Sequence, residues 1–315
     1  MFDHVFVVQT SNYRWVLGHW VRELRKRIPG KTLIWWVPIS FSKNNLINDI
    51  IKIAPLPVSR NYYFPFPTVF INYYKRYPNT LRNRSVVLYT HATDQLGSLE
   101  NQVHYLSFAK CVHFMCTTDR DRLVTAGLDS EKTRVVFGAI DVDCVQNLLY
   151  PKVPNTVLLS SRFGPRKGYE LLPDIVEYLP NWKFTILGPD WEKFLQSSGL
   201  NKKQNLIHTN WSRKNRNLLM SENQIFLSLS SLEGGPIPLI DAMAFGMYPI
   251  ATDTGFAHDI IAKGGIGKLL KIPTSSEAVV KAIEEAQPNS NKSISVVSCL
   301  TWDKLARDYV EDSNR

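Results

Sequence analysis

The sequence lacks the features that mark several protein classes. It has four cysteines among 315 residues, with no Cys-x-x-Cys pair and no tight Cys/His cluster, which disfavours a disulfide scaffold and a zinc ribbon. The start, Met1-Phe2-Asp3-His4, has no basic n-region and no long apolar h-region, so we do not expect a secretory signal. The longest wholly apolar runs, such as residues 33–38, are far shorter than the ~20 residues that span a bilayer. We therefore expect a soluble protein of the cytoplasm.

Positive charge is in excess and is unevenly distributed. The formal net charge is +9; residues 1–150 carry 18 Lys and Arg against 11 Asp and Glu, whereas residues 151–315 carry 19 against 17. A basic first half indicates an anionic partner such as a membrane surface, a phosphorylated acceptor or a nucleic acid, although solubility alone also explains it. Because the sequence has no RRM, KH or zinc-knuckle pattern, we expect no nucleic-acid partner.

Short apolar strands alternate with amphipathic helices along the chain, as in parallel α/β sheets. In the first half the pattern predicts a helix at 16–28 and strands at 4–9, 33–37, 85–90, 112–116 and 134–138. In the second half it predicts helices at 169–179 and 239–245 and strands at 156–161, 184–187, 225–229 and 248–252. Two such sheets indicate two similar α/β domains. Residues 57–84, with eight aromatic and five basic residues, depart from the pattern and suggest a loop or an irregular insertion.

Candidate functional residues follow the predicted strands, because open α/β sheets bind ligands beyond the carboxyl ends of their strands. The stretch from Arg162 to Gly168 is a Gly/Pro loop that contains Lys167 and opens a helix, as in diphosphate sites, although a solvated basic turn has the same composition. Farther on, Glu233 precedes two glycines and Asp241 lies in the next helix. These two carboxylates are placed to bind hydroxyl groups of one sugar nucleotide. A solvated loop acid and a helix-dipole partner are the simpler interpretations.

In this order, the segments resemble retaining glycosyltransferases of family 4, the glycosyl transferases group 1. Residues 158–172 are similar to the family's stretch of strand, Arg, loop and Lys-Gly. The spacing from Glu233 to Asp241 is similar to its E-x7-E motif, with Asp in place of the second Glu. Residues 248–270 follow the family's order of proline, strand, Gly loop, acid and Gly-x-x-Gly, except that Phe256 replaces a glycine. The first half matches more loosely, at His91 and at residues 117–118 and 138–141.

The resemblance implies a GT-B fold, in which two Rossmann-like domains, residues 1–150 and 151–299, face each other across a cleft. A C-terminal helix at about 300–315 would cross back to the first domain. The implied reaction transfers a sugar from a nucleotide diphosphate donor to an acceptor hydroxyl with retention of configuration. Four catalytic residues and seven donor-binding residues are implied. They are His91, Arg162, Lys167 and Glu233, and Gly188, Asn210, Gly234, Gly235, Pro236, Asp241 and Gly255.

The resemblance also implies a role for each catalytic residue. Arg162 and Lys167 would stabilise the leaving diphosphate, and Glu233 would bind hydroxyl groups of the donor sugar. His91 would face the reacting carbon, although a hydrogen-bonded structural histidine is the alternative. No cofactor and no metal are expected. The pairs Asp119-x-Asp121 and Asp141-x-Asp143 look like a metal-binding D-x-D motif, but the first starts a helix and the second lies in a domain-edge turn.

The acceptor site is expected in the first half. Asn12, Tyr13 and Arg14, the helix that follows them, and residues 57–84 would shape it. The aromatic faces would bind sugars and the basic residues would meet anionic lipid headgroups, unless the aromatics are core. We therefore expect a cytoplasmic enzyme, peripheral to the inner face of a membrane, that extends a glycan or lipid-linked glycan of a surface polysaccharide. Competing interpretations are a nucleotide-sugar epimerase of the same fold and a catalytically degenerate GT-B subunit.

Overall fold

The computed structural model describes residues 1–13, 16–37, 55–91, 96–141 and 151–315. The chain divides into two compact units, residues 1–138 with 302–315, and residues 139–301. Each unit contains a six-stranded sheet in which the paired strands run parallel, with helices in the connections. The predicted α/β fold class with two Rossmann-like domains is therefore confirmed.

The first unit is built on strands β1–β6 in the sheet order β2-β1-β3-β4-β5-β6. Its strands are β1 Phe2–Gln9, β2 Thr32–Val37, β3 Ser59–Phe64, β4 Ser85–Tyr89, β5 Cys111–Phe114 and β6 Thr133–Val135. The helices preceding β6 are α1 Val16–Arg27, α2 Pro67–Arg76, α3 Pro78–Leu81, α4 Leu99–Leu106 and α5 Thr117–Thr125. All five residues of β4 are buried, as expected of a strand covered on both faces of a parallel sheet.

Residues 57–84 form a regular part of this sheet, so the expectation of a loop or irregular insertion is wrong. They contain β3, which pairs with both β1 and β4, followed by α2 and α3. Six of the eight aromatic side chains are buried, and they are Tyr62, Tyr63, Phe64, Phe70, Tyr73 and Tyr74. These rings form core, which is what strands rich in aromatic residues provide, so they are not the exposed sugar-binding faces that the sequence suggested.

The second unit has the sheet order β12-β11-β10-β7-β8-β9. Its strands are β7 Val153–Ser160, β8 Lys183–Leu187, β9 Leu206–Thr209, β10 Asn223–Ser228, β11 Tyr248–Thr252 and β12 Lys268–Leu270. Its helices are α6 Leu172–Tyr178, α7 Glu192–Ser197, α8 Arg213–Glu222, α9 Ile237–Ala244, α10 Ser276–Glu284 and α11 Ser290–Val297. The first strand of this unit, β7, lies in the middle, and the chain builds outward from it in both directions. This is the doubly wound order, with a switch point between β7 and β10.

The last helix, α12 (Trp302–Asn314), belongs to the first unit. Its Asp312 is fully buried and lies 2.7 Å from Nε2 of His113 on β5, while Arg134 on β6 donates to it at 2.6 Å. Burial alone raises the pKa of the Asp312 carboxyl, but His113 and Arg134 outweigh it and bring the pKa below its usual value. The helix is therefore attached to the sheet by a buried charged network as well as by apolar packing.

None of the helices in the described ranges combines the length and the apolar character that crossing a membrane requires.

Replacing Asp312 with Ala should destabilise the protein by about 3 kcal/mol, because it leaves Arg134 and His113 without their buried partner. Urea unfolding measures this change. Asp303→Ala is the matched control on the same helix, since the Asp303 side chain is 72% exposed and its ion pair with Arg27 is worth at most about 1 kcal/mol. Equal losses for the two variants would contradict the anchoring role of Asp312.

Candidate active site

The switch point of the second sheet brings the two chemically richest loops together. Strands β7 and β10 are neighbours, with Leu158 opposite Phe226, although the loops that follow them are far apart in sequence. The loop after β7 contains Arg162 and Lys167, and the loop after β10 contains Glu233 and the two following glycines. Both leave the carboxyl edge of the sheet, which is where doubly wound sheets bind their ligands.

Lys167 and Glu233 form an ion pair at this edge, with Nζ of the lysine donating to Oε1 of the glutamate. The two side chains are 29% and 19% exposed, so the pair is partly shielded from water. A backbone hydrogen bond from Ser231 to the carbonyl of Arg166, 2.8 Å long, joins the two loops beside the pair. The structure therefore brings together a cation and a carboxylate that the sequence placed 66 residues apart.

A third loop, after β11, completes this edge around Gly234 and Gly255. The backbone N–H of Phe256 donates to the carbonyl of Gly234 at 3.1 Å, and that of Glu233 donates to the Thr254 hydroxyl at 3.0 Å. Gly255 has a φ of +54°, and a Cβ there would lie 2.5 Å from the Gly234 carbonyl oxygen. The Phe256 side chain is fully buried, so the residue that departs from the family pattern contributes to the core.

Arg162 lies at the same edge but contacts a different loop. Its Nε is 3.3 Å from Oδ2 of Asp190, and both side chains are more than half exposed. The predicted donor residue Gly188 directly follows β8, and its carbonyl accepts a hydrogen bond from His208 at 2.8 Å. A Cβ on Gly188 would collide with the Ser161 carbonyl, so this glycine is needed for the close approach of two loops. Arg162 and Lys167 therefore have separate carboxylate partners.

Asp241 on α9 is paired with a residue that the sequence did not single out. Nη1 of Arg216 on α8 lies 3.3 Å from Oδ2 of Asp241, and both side chains are less than a fifth exposed. Burial raises the pKa of the Asp241 carboxyl to about 6, with Arg216 opposing the rise and Asp141 adding to it. Arg216 lies within a polar stretch of α8, and only its position on the helix facing α9 could have indicated its role.

The remaining donor-binding predictions lie around the same edge. Pro236 immediately precedes α9, and the N–H of Ile237 donates back to the Gly235 carbonyl at 2.8 Å. Asn210 follows β9, is exposed, and its carbonyl accepts a hydrogen bond from Asn215 at 3.0 Å. All the predicted donor residues are thus in the second unit, in segments that follow β8, β9, β10 and β11.

The other predicted residues belong to the first unit. His91 follows β4 at the carboxyl edge of the first sheet and is half-buried. Asn12 lies in a 3₁₀ turn (Thr10–Asn12) after β1, and Tyr13 follows it with its ring against Trp36 and 56% exposed. The predicted Arg14 lies outside the described residues. Of the three predicted acceptor residues, Asn12 and Tyr13 therefore lie at the switch point between β1 and β3.

One group in the described part of the chain has three potential metal-ligating side chains close together. Cys111, His113 and Asp312 are all buried, with one ligand atom of each within 4.8 Å of the others. The Asp312 oxygens already accept hydrogen bonds from Arg134, and burial raises the pKa of the Cys111 thiol to about 12. This chemistry fits a packed hydrogen-bond network better than a cation site. The candidate D-x-D residues Asp119, Asp121 and Asp141 each lie within 3.5 Å of an arginine nitrogen.

Comparison with known proteins fits this geometry. Residues 145–295, which include the loops after β7, β10 and β11, match the family model of the glycosyl transferases group 1. This segment, which is just under half of the chain, is therefore similar to the glycosyl transferases group 1. The resemblance predicted from the order of motifs is thereby confirmed for residues 145–295.

Among curated relatives of this chain is a GDP-mannose:cellobiosyl-diphosphopolyprenol alpha-mannosyltransferase from Xanthomonas oryzae pv. oryzae. It is 24% identical over an alignment of 199 residues, which covers 58% of this chain and 52% of that protein. The chain spans about half the length of the curated relatives it matches.

Solved structures resemble the chain over nearly its whole length. A sucrose-phosphate synthase from Thermosynechococcus elongatus is matched with a TM-score of 0.75 and 14% identity, over 98% of both chains. The Anabaena protein HepE, in complex with UDP and glucose, is matched with a TM-score of 0.71 and 15% identity, over 100% of this chain and 98% of that one. At this identity the likeness establishes the fold, which is GT-B.

Replacing Gly255 with Ala should destabilise the protein by about 1–3 kcal/mol, because its left-handed backbone and the nearby Gly234 carbonyl both oppose a Cβ. Gly164→Ala is the matched control at the same edge, since a Cβ at Gly164 would have no heavy atom within 4 Å. Thermal unfolding compares the two variants, and a Gly255→Ala protein as stable as Gly164→Ala would show that the loop after β11 does not depend on this glycine.

Proposed function

We propose that this chain transfers a sugar from a nucleoside diphosphate donor to a hydroxyl group of a glycan or lipid-linked glycan, with retention at the anomeric carbon and without a metal ion. The observation that carries the proposal is the contact between Lys167 and Glu233 at the switch point of the second sheet. A nucleotide sugar has an anionic end and a hydroxylated end, and this site presents a cation and a hydrogen-bond acceptor side by side.

Donor binding would replace one ion pair with two sets of contacts. The diphosphate would take the ammonium group of Lys167, and the sugar hydroxyls would donate to the Glu233 carboxylate. Partly exposed ion pairs contribute little to stability, so the cost of separating Lys167 from Glu233 is about 1 kcal/mol or less. The ion pair would therefore keep the side chains of Lys167 and Glu233 in position until a donor binds to them.

Negative charge on the leaving diphosphate would be stabilised by the cations of the loop after β7. Lys167 supplies a point charge and Arg162 a planar guanidinium that binds phosphate oxygens in pairs. The neighbouring Asp190 keeps Arg162 at this edge, 3.3 Å away, without enclosing it. With two such cations the developing charge needs no metal ion. The acceptor's proton would pass to the departing phosphate oxygen, so no side chain is assigned as the base.

Asp241 would bind the ribose of the donor. Its carboxylate is more than four-fifths buried on α9, and Arg216 beside it fixes its orientation. With a pKa of about 6, the group is mainly ionised at pH 7 and accepts hydrogen bonds from the ribose hydroxyls. Asp241 has a shorter side chain than the Glu of the family motif. The long side chain of Arg216 contacts its carboxylate and fixes where that carboxylate lies.

Lys167→Ala should weaken the binding of UDP or GDP at least about tenfold, because a hydrogen bond to a charged group is worth about 1.5–3 kcal/mol. Arg162→Ala should have an effect of the same order. Calorimetric titration measures both. Arg166→Ala is the matched control, since Arg166 is the exposed neighbour of Lys167 in the same loop. Undiminished affinity in the Arg162 and Lys167 variants would overturn the proposal.

Turnover of the donor without an acceptor distinguishes the competing functions. Slow release of the nucleoside diphosphate from one of several nucleotide sugars supports a transferase. An isomerised donor would indicate an epimerase, and no reaction with any donor would indicate a degenerate subunit. The same assay in EDTA tests the metal-free mechanism, which complete loss of activity would contradict.

A contact with an anionic membrane is the second part of the proposal. It is supported by three exposed cations on α2 and just after α3, here called the basic face: Lys75, Arg76 and Arg82. Each lies over an aromatic ring, at 5.1 Å from Tyr105, 5.3 Å from Tyr77 and 4.9 Å from Phe108. The rings hold the long basic side chains against the surface, where their charges meet anionic headgroups. Such a surface would keep the enzyme at the inner face of a membrane, near a lipid-linked acceptor.

Changing both Arg76 and Arg82 to Gln should reduce flotation with liposomes that contain anionic lipid, by about fivefold for each charge removed, since each contributes about 1 kcal/mol. Changing Lys193 and Lys202 to Gln removes the same charge from exposed positions of the second unit and should leave flotation nearly unchanged. If the wild-type protein does not float at low salt, the membrane contact is wrong.

A further inference from the structure

A groove in the first unit lies between α2 and the segment that leads into α4. Its volume is about 280 Å³. One wall is a single face of α2, formed by Thr68, Ile71, Asn72 and Lys75, and the other contains Leu96, Gly97 and Asn101. Ile71 and Leu96 are buried and form an apolar floor, whereas Asn72, Lys75 and Asn101 are exposed at the rim. Pockets with an apolar floor and a few polar groups around it are typical of small-molecule sites.

The second wall is fixed by a chain of hydrogen bonds from the core. The side chain of Gln102 donates to the Gly97 carbonyl at 2.9 Å, and the buried Tyr89 hydroxyl donates to Gln102 at 2.7 Å. Arg122 in turn donates to the Tyr89 hydroxyl at 2.9 Å. On the groove itself, the Asn101 amide donates to the Leu96 carbonyl at 3.3 Å. Because β4 and α5 support this wall, the groove is a preformed feature of the unit.

The position of the groove relates it to the reaction. Helix α2 begins shortly after β3 ends at Phe64, and α4 begins ten residues after β4 ends at Tyr89. Both walls therefore start at the carboxyl edge of the first sheet, between neighbouring strands. His91 lies at that edge, in the connection that leads to Gly97. Ligands of open α/β sheets bind at this edge, and the groove runs from it along α2, from Thr68 in the first turn to Lys75 in the last.

The lining indicates the chemistry of the ligand. It offers the Thr68 hydroxyl and the amides of Asn72 and Asn101, which exchange hydrogen bonds with sugar hydroxyls. It also offers the Lys75 ammonium, which the ring of Tyr105 positions, and none of the described residues that line the groove is a carboxylate. A volume just under the roughly 300–1,000 Å³ of drug-sized sites suits a single sugar unit.

We propose that this groove binds a phosphorylated saccharide as part of the acceptor, with Lys75 on the phosphate and Asn72 and Asn101 on the sugar hydroxyls. The proposal rests on the transferase function proposed above, since it assigns the acceptor of that reaction. The phosphate is either free or esterified to a lipid, and the groove recognises the chemistry that the two share.

Ligand-observed NMR titration of the full chain tests the groove with glucose 6-phosphate and methyl glucoside as probes. Lys75→Gln should weaken the binding of glucose 6-phosphate about tenfold, because the substitution removes a charge-assisted hydrogen bond to the phosphate. Arg76→Gln is the matched control, since it removes the same charge from the next residue of α2, which does not line the groove. Asn101→Asp should weaken the binding of glucose 6-phosphate, because the new carboxylate repels the phosphate. The affinity for methyl glucoside should stay nearly unchanged.

Equal losses in the Lys75 and Arg76 variants, or no loss in either, would overturn the proposal. A short-chain prenyl diphosphoryl glucose, titrated in parallel, identifies the source of the phosphate: tighter binding than glucose 6-phosphate assigns a lipid-linked acceptor, and weaker binding a free sugar phosphate. Donor hydrolysis separates this proposal from the general one. A wild type that hydrolyses no donor would count against the transferase function alone, whereas a Lys75→Gln variant that binds glucose 6-phosphate as tightly as the wild type would count against the groove alone.

Discussion

The proposed donor site depends on the pairing of β7 with β10 at the centre of the second sheet. In a parallel sheet every strand ends at the same edge, and at the switch point the two connections leave in opposite directions, so the loops after these strands meet over an open crevice. The hydrogen bond from Ser231 to Arg166 then sets the spacing of the loops, and Lys167 and Glu233 come into contact. The contacts of Gly234 with the loop after β11 extend the same edge. The chemistry of the site thus follows from sheet topology before any side chain is considered.

Two groups of charged residues in this chain differ in burial, and the difference fits different roles. Asp312 and His113 are fully buried, and Arg134 beside them is 21% exposed; an uncompensated charge on Asp312 would be costly there, so the network holds the last helix on the first sheet. Lys167 and Glu233 keep 29% and 19% of their surface in water, where exchanging one partner for another costs little. The first arrangement suits an anchor. The second suits groups that must release each other when a charged ligand arrives.

Much of this organisation could be predicted from the sequence, because strands buried in parallel sheets are apolar runs and their ends carry the functional loops. Residues 248–252 were predicted with the observed bounds of β11, and the Lys167 and Glu233 loops were identified by their glycines and charges. The central strand β3 was missed, because its aromatic residues and the prolines around it resemble an irregular surface segment until their burial is known. Arg216 was missed because its role comes from the packing of α8 beside α9, which no local pattern records.

In the proposed function, the two units use the same edge of their sheets to recognise different parts of the substrates. In the second unit the edge presents charged side chains close to glycine backbone, a combination suited to a diphosphate, which is the same in all nucleotide sugars. In the first unit the edge leads into a groove lined by amides, a hydroxyl and one ammonium, groups that distinguish one saccharide from another by hydrogen-bond geometry. Polar groups that a bound ligand covers discriminate more strongly than apolar ones, because a wrong ligand leaves them unpaired. Acceptor specificity should therefore be determined mainly by α2 and the segment before α4.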